Sequence, residues 1–314
     1  MTLSAVLIGL SICPLRADAQ AATYPHDVVT LVTHSSPGGG SDVFLRELAR
    51  YLGPELGAEI VVENVRGGSG ARAIAQLATA PADGSRFYAA TPTYIYTSLL
   101  SNSSYNYNDL DPIVNVFFDQ EVVYTRADGP FSTLADVIDH ARADRGRWGA
   151  ANPASLERQA LEQLKRVAGV DAAIVSHEGG GDLMINVLNG TLDIGVGEAQ
   201  EIRSQLDAGR LRVLAVFGAD RMTALPEVPT VRESGFDIVL RKFRGLAAPM
   251  GLPEEISSAV SSAIRRALDD PDYQSAYRDA MLIPAFMPRE AYREFIVDFG
   301  AETEAFLRET GVLQ

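Results

Sequence analysis

Two glycine-rich turns carry the clearest chemistry in this chain. Ser36-Pro37-Gly38-Gly39-Gly40-Ser41-Asp42 and Gly67-Gly68-Ser69-Gly70-Ala71 each stand between a run that reads as a strand and a run that reads as a helix. Glycines leave backbone N–H groups unshielded by side chains, and the helix that follows adds partial positive charge at its first turn, so each turn favours an anion. Because the turns follow successive strands, they can converge at the carboxyl ends of one sheet, where open α/β folds hold their ligands. Thr91 and Thr93, just past the third strand, bring hydroxyls to the same edge. All of these residues equally suit plain tight turns, so the signal lies in their combination.

The residue sets that catalysis needs are not assembled in the sequence. No G-x-S-x-G elbow occurs, and Gly67-Gly68-Ser69-Gly70-Ala71 misses it at the final position. His26, His34, His140 and His177 are scattered without a nucleophile beside them, and no ligand cluster has zinc spacing. Gly68-Ser69-Gly70-Ala71-Arg72-Ala73 fits G-x-G-x-x-A behind the strand Glu59 to Val65, which keeps an NAD(P)-dependent oxidoreductase as the alternative. A dinucleotide site also wants an acid after the next strand, whereas Phe87 to Ala90 runs into Thr91-Pro92-Thr93. The expectation is therefore a non-enzyme without metal or cofactor.

The elements that must position these turns alternate between strand and helix patterns, which points to an α/β protein with largely parallel sheets. Strands are expected at Val28 to Thr33, Glu59 to Val65 and Phe87 to Ala90, with helices at Val43 to Leu52 and Ala71 to Ala80 between them. Ser41 or Asp42 is placed to cap the first helix. A second series follows: strands at Val122 to Tyr124, Trp148 to Ala151, Ala172 to Ser176 and Asp193 to Val196, with helices at Leu134 to Ala143, Leu156 to Val167 and Leu183 to Asn189. From Pro253 onward the chain is mainly helical, most clearly at Ile256 to Leu268 and Arg289 to Leu307. Two such series and a returning C-terminal stretch imply two lobes joined by crossing strands, the first made of residues 22–120 and 245–314 and the second of 121–244.

Composition narrows the partners. Of 314 residues, 27 are Lys or Arg and 41 Asp or Glu, a formal charge of 27 minus 41, or -14, which excludes a nucleic-acid backbone as partner because that needs a clustered basic surface. Leu3 to Leu15 is almost wholly apolar and Ala17-Asp18-Ala19-Gln20-Ala21 follows, which reads as a signal peptide over residues 1–21 and hence export to the periplasm, although no Lys or Arg precedes the apolar run. Cys13, the sole cysteine, lies inside that segment, so the mature chain is expected to have neither thiol nor disulfide.

The ordered motifs resemble those of the receptors of tripartite tricarboxylate transporters, the Bug or TctC-like solute-binding proteins. Ser36 to Asp42 resembles their P-x-G-G-x-x-D loop. The likeness continues through Val61-Val62-Glu63-Asn64, Ala80-Pro81-Ala82-Asp83-Gly84 and Leu225-Pro226-Glu227-Val228-Pro229-Thr230 to Gly245-Leu246-Ala247-Ala248-Pro249. It implies a type II periplasmic-binding-protein fold, with two lobes of mainly parallel sheets joined by hinge strands. The function it implies is capture of a small carboxylate for delivery by a monomer to membrane permease components; a sensor feeding a signalling partner would use the same closed shape.

By this resemblance, carboxylate contacts fall to Ser36, Gly39, Gly40 and Asp42 on the first loop and to Ser69, Gly70 and Ala71 on the second, with Asp42 better suited to cap a helix or hold water. The second lobe departs from the family's pattern. Asn152 and Ser155 stand where relatives carry a glycine-rich turn, and Ser176-His177-Glu178-Gly179-Gly180-Gly181-Asp182 replaces a turn with a basic residue. His177, Glu178, Gly179, Asp182 and Glu198 complete the expected ligand set. Glu178 and Glu198 disfavour a second carboxylate and favour an amine or hydroxyl, unless both are solvated. Arg66, beside the second loop, either meets the ligand or is a solvated rim arginine.

Overall fold

The computed structural model describes residues 24–313; the expected signal peptide, with Cys13, lies outside the described residues. The first sheet has six strands in the order β11 (Ile283–Met287), β4 (Leu110–Asp119), β10 (Lys242–Pro249), β3 (Arg86–Ala90), β1 (Val28–Thr33) and β2 (Glu59–Asn64), and the second has five in the order β7 (Ala172–His177), β6 (Gly146–Ala151), β8 (Ile194–Glu198), β5 (Glu121–Arg126) and β9 (Leu211–Val216). In the first, β1 (Val28–Thr33), β2 (Glu59–Asn64) and β3 (Arg86–Ala90) alternate with helices α1 (Gly40–Leu56) and α2 (Ala71–Ala78) and pair in parallel. A helix α3 (Pro92–Leu100) follows β3 directly, so Thr91 and Thr93 sit at a helix start rather than in a loose turn.

The second sheet holds β5 (Glu121–Arg126), β6 (Gly146–Ala151), β7 (Ala172–His177), β8 (Ile194–Glu198) and β9 (Leu211–Val216). Around it lie helices α4 (Leu134–Ala143), α5 (Leu156–Ala168), α6 (Gly180–Leu188) and α7 (Ala199–Asp207). The chain then returns to the first sheet as β10 (Lys242–Pro249), followed by α8 (Glu254–Asp269), α9 (Pro271–Asp279), β11 (Ile283–Met287) and α10 (Arg289–Glu309). Both sheets are mixed: β10 and β11 run antiparallel to β4 (Leu110–Asp119), and β5 runs antiparallel to β8 and β9.

Local sequence accounts for the helices that frame the cleft. Leu156, Ala160, Leu161 and Leu164 recur at helical spacing and bury one face of α5. Ser155 caps its start by accepting from the Arg158 N–H, and Gly169, at φ 63°, ends it in the left-handed conformation that glycine adopts at little cost. Each lobe has its own core. Val29, Leu31, Phe44, Leu48, Phe117, Val260 and Ile264 pack on one face of the first sheet, and Trp148, Leu161, Ile194, Val196 and Phe217 pack in the second lobe. Burying each such side chain fully stabilises by about 1.5–3 kcal/mol, so the two lobes are separately anchored bodies that meet across the cleft.

Two crossings join them. Asp119-Gln120-Glu121 takes the chain from β4 into β5. The return path from Phe217 is tied to that crossing, because the Phe217 N–H donates to the Glu121 carbonyl and the Leu240 N–H to the Phe217 carbonyl. It ends at Lys242, which pairs with Asp119 at the start of β10. The floor of the cleft is thus two adjacent strands with charged residues where they cross.

Candidate functional site

The two glycine-rich loops lie at the carboxyl ends of β1 and β2, where the second lobe closes on them. A crevice of about 20 Å³ remains between the lobes, room for about one water molecule; its walls include Gly40, Ser41, Thr91 and Thr93 from the first lobe and Asn152, Glu157, Gly179, Glu198 and Glu201 from the second, with Lys242 below. Gly40 opens the 17-residue helix α1, and its N–H donates to the Glu201 carboxyl on α7. Gly180 opens α6, and a Cβ there would stand 2.1 Å from the other Glu201 oxygen. A carboxyl group is therefore held between helix starts of opposite lobes, the environment that suits an anion.

Beneath it lies a buried charge cluster. The Lys242 ammonium is 2.6 Å from Glu121 Oε1, 2.5 Å from Glu157 Oε1 and 2.5 Å from Glu198 Oε1. Arg244, two residues along the same strand and so on the same face, donates to Asp119 Oδ2 from Nε at 2.7 Å and to Glu198 Oε1 from Nη2 at 2.9 Å. Burial pushes Glu198 toward the neutral acid, but Lys242 and Arg244 outweigh it and hold the group well below the usual carboxylate range. Glu201 goes the other way, raised by burial and by the nearby Glu198 charge. Glu121 is likewise raised by burial, against the pull of Lys242.

Glu121, Glu157 and Glu198 are close enough to resemble a metal site. The ammonium of Lys242 already sits among one oxygen of each, so the charge a cation would bring is supplied by the chain itself.

The expected ligand residues separate into groups. Gly40, Thr91, Thr93, Asn152, Gly179 and Glu198 line the crevice. Ser36 faces Gly179 across the cleft, where a Cβ on the glycine would stand 2.1 Å from the serine Oγ. Gly39 lies against Ser35 and Glu201. Asp42 turns into its own loop, accepting from the Gly38 N–H and from Asn64 and Arg46, which outweigh burial and lower its pKa; it locks the loop in place of meeting an anion.

The second loop contributes shape. Gly67, Gly68, Ser69 and Gly70 all have positive φ, and Ala71 begins α2. The Ser69 carbonyl accepts from Thr97 Oγ1, while its hydroxyl is 3.5 Å from the Ala154 N–H of the facing lobe. Gly70 packs on His34 and Tyr88, which leaves a dinucleotide pyrophosphate no open cradle over this G-x-G-x-x-A segment.

Four residues of the second lobe differ from expectation. Ser155 is spent as the α5 cap. Glu178 is exposed and pairs with Arg66 across the mouth of the cleft, so both are rim charges. Asp182 is exposed on α6. His177 lies beside the crevice as the carbonyl acceptor for the Asn152 N–H at 2.6 Å. Glu198 does reach the crevice, but as the partner of Lys242 and Arg244.

The residues that sequence reasoning passed over are Asp119, Glu121, Glu157, Glu201, Lys242 and Arg244. Their one legible signal is Lys242-Phe243-Arg244 at the head of the otherwise apolar run Gly245 to Pro249, a charged alternation on a strand buried along its whole length.

Two larger hollows lie elsewhere. One, of about 1000 Å³, sits behind the crossings against Tyr96, Phe118 and Met281; the other, of about 530 Å³, lies between α5 and α10. Neither is framed by glycine-rich helix starts from both lobes, so the small crevice is the site whose chemistry converges.

Two α/β lobes on crossing strands, closed over opposed helix starts, define a solute-binding receptor. The sequence pattern of the tripartite tricarboxylate transporter family receptors matches residues 44–312, and the chain belongs to that family. It is 27% identical to BugT of Bordetella pertussis over 320 residues, covering 99% of this chain and 98% of that protein. A UPF0065 protein from the gbd 5' region of Cupriavidus necator is also 27% identical, covering 99% of this chain and 95% of its own. Among solved structures, R. palustris Rpa4515 with adipate superposes with a TM-score of 0.87 at 24% identity, covering 92% of this chain and 98% of that one. MatC of Rhodopseudomonas palustris with bound malate superposes with a TM-score of 0.81 at 22% identity, over 91% and 99% of the two chains.

Proposed function

We propose that this receptor works outside the cytoplasm, capturing a small carboxylate between a lobe of residues 22–120 and 245–314 and a lobe of residues 121–244. It then hands the compound, chemically unaltered, to the membrane components of a tripartite transporter. The observation that carries the ligand class is the Glu201 carboxyl on the Gly40 N–H, with Gly180 of the facing lobe against it. A ligand carboxylate suits the same seat, and adipate and malate in the structural neighbours support a carboxylate ligand. Capture is hinge closure: the carboxylate docks on the α1 start, and the second lobe adds contacts that exist only in the closed form. Export is supported by the apolar segment Leu3 to Leu15 with its alanine-rich tail.

The test is a thermal-shift titration of the purified chain with malate, adipate and a set of aliphatic, aromatic and amino-bearing monocarboxylates, followed by mass spectrometry of the bound compound. A binder raises the unfolding midpoint with concentration and is recovered with its mass unchanged. A midpoint indifferent to every carboxylate removes the receptor reading, and a changed mass removes its non-catalytic part.

A further inference from the structure

The crevice offers a ligand acceptors, while its cations are already engaged. Lys242 lies within 2.6 Å of three carboxyl groups, a number that matches its three N–H donors. Arg244 is turned onto Asp119 and Glu198, with Ser41 Oγ 3.5 Å from Nη1. Against these two cations stand five buried or cleft-facing carboxyl groups: Asp119, Glu121, Glu157, Glu198 and Glu201. Two residues that line the crevice, Glu157 and Thr91, are 3% and 1% exposed, and each holds a buried polar atom, Oε2 and Oγ1, with no protein partner among the described residues. A buried acceptor left unpaired is costly, so such atoms mark where a donor belongs.

We infer that the ligand carries a protonated amine beside its carboxylate, and that Glu157, on the first turn of α5, selects it with the help of Thr91. This rests on the carboxylate-receptor reading above and names the ligand class within it. The carboxylate takes the α1 start, and the ammonium donates to Glu157 Oε2 and Thr91 Oγ1. An ammonium brings three N–H donors and can reach both acceptors, whereas a hydroxyl brings one and leaves the other unpaired. The second carboxylate of a dicarboxylate would add another acid to a crevice whose cations are spent, an uncompensated buried charge.

The test is isothermal titration of the wild-type chain with the proteinogenic L-amino acids, β-alanine and 4-aminobutyrate. The tightest binder is then compared with its des-amino, hydroxy and dicarboxylic analogues. The amino compound is expected to bind at least tenfold more tightly than all three, and Glu157→Gln to narrow its advantage over the des-amino analogue below threefold. Thr91→Val, which leaves the Lys242 cluster intact, should lower the same advantage by a smaller factor. If the hydroxy or dicarboxylic analogue binds as tightly as the amino compound, the amine assignment falls while the receptor reading stands. If no carboxylate of any kind binds, both fall; if Glu157→Gln keeps the full advantage, Glu157 is not the selector.

Discussion

Glu201 of the second lobe and Gly40 of the first, 161 residues apart, are joined by a hydrogen bond from the glycine N–H to the glutamate carboxyl. The receptor thus carries on its own α7 a group chemically equivalent to one end of its proposed ligand. In the closed form that group sits where the ligand carboxylate would. Binding is then an exchange of one carboxyl for another, and affinity reports the difference between them.

That exchange needs bare backbone at the head of α1. A Cβ on Gly40 would stand 2.6 Å from Arg244 Nη2 and 2.7 Å from Glu198 Oε1, both held in the buried cluster with little freedom to move. Gly40→Ala should therefore keep both lobes folded, by circular dichroism, yet weaken carboxylate binding at least tenfold in titration calorimetry. Unchanged affinity would mean that the α1 start is not the ligand's seat.

The cluster beneath the seat is expected to matter for stability as much as for binding. Removing one member of a buried ion cluster leaves its partners uncompensated, at a cost of about 3–5 kcal/mol. Lys242→Met strands Glu121, Glu157 and Glu198 together, so its denaturant midpoint should drop by a corresponding amount without ligand present. A loss below about 1 kcal/mol would show that water reaches the cluster in solution.

Much of this architecture is legible in the sequence because it is written in local patterns. The strand Val28–Thr33 and helix Leu134–Ala143 follow from apolar periodicity, and the loop Ser36 to Asp42 from its glycines. The first helix runs three residues earlier and four later than the expected Val43 to Leu52: Gly40 to Asp42 are helical ahead of the apolar stripe, and at the other end the helix continues through Pro54 to Leu56, which carries the buried stripe one turn past Leu52. The strands β4 and β10 escape such reading, since antiparallel hinge strands buried on both faces show no alternation, and β11 escapes it as a five-residue edge strand with no alternating burial. The charge cluster is hidden for another reason. Asp119, Glu157, Glu201 and Lys242 are far apart in sequence, and each alone has the look of a solvated surface charge; only the crossing of the strands brings them together.

The rim pair shows the opposite case, a charge that sequence position makes prominent and exposure makes weak. Arg66 and Glu178 bridge the lobes, but their side chains are 43% and 73% exposed, and exposed pairs contribute about 0.2–1 kcal/mol. Glu178→Ala should thus change the ligand dissociation constant by less than about fivefold, with most of any change removed by added salt. A larger, salt-insensitive loss would place Glu178 in direct contact with the ligand.

Two groups at the cleft titrate with opposite consequences. His34 is fully enclosed, with Tyr88 Oη 2.9 Å from Nδ1; burial and then Lys242 lower its pKa from 6.5 to about 4. A base whose folded pKa is depressed stabilises the fold above its unfolded value, and that contribution is lost as pH falls from about 6.5 toward 4, amounting to about 3 kcal/mol. Glu201 is an acid with a raised folded pKa, so its contribution is complete below the ordinary carboxyl range and is lost as pH rises through the folded value. Denaturant unfolding of wild type, His34→Gln and Glu201→Gln from pH 4.5 to 8 separates them. The His34 variant should lose less stability than wild type on the acid side, and the Glu201 variant should gain on wild type as pH rises. A Glu201→Gln curve that falls behind wild type with rising pH would mean that Glu201 is held as a carboxylate on the Gly40 N–H.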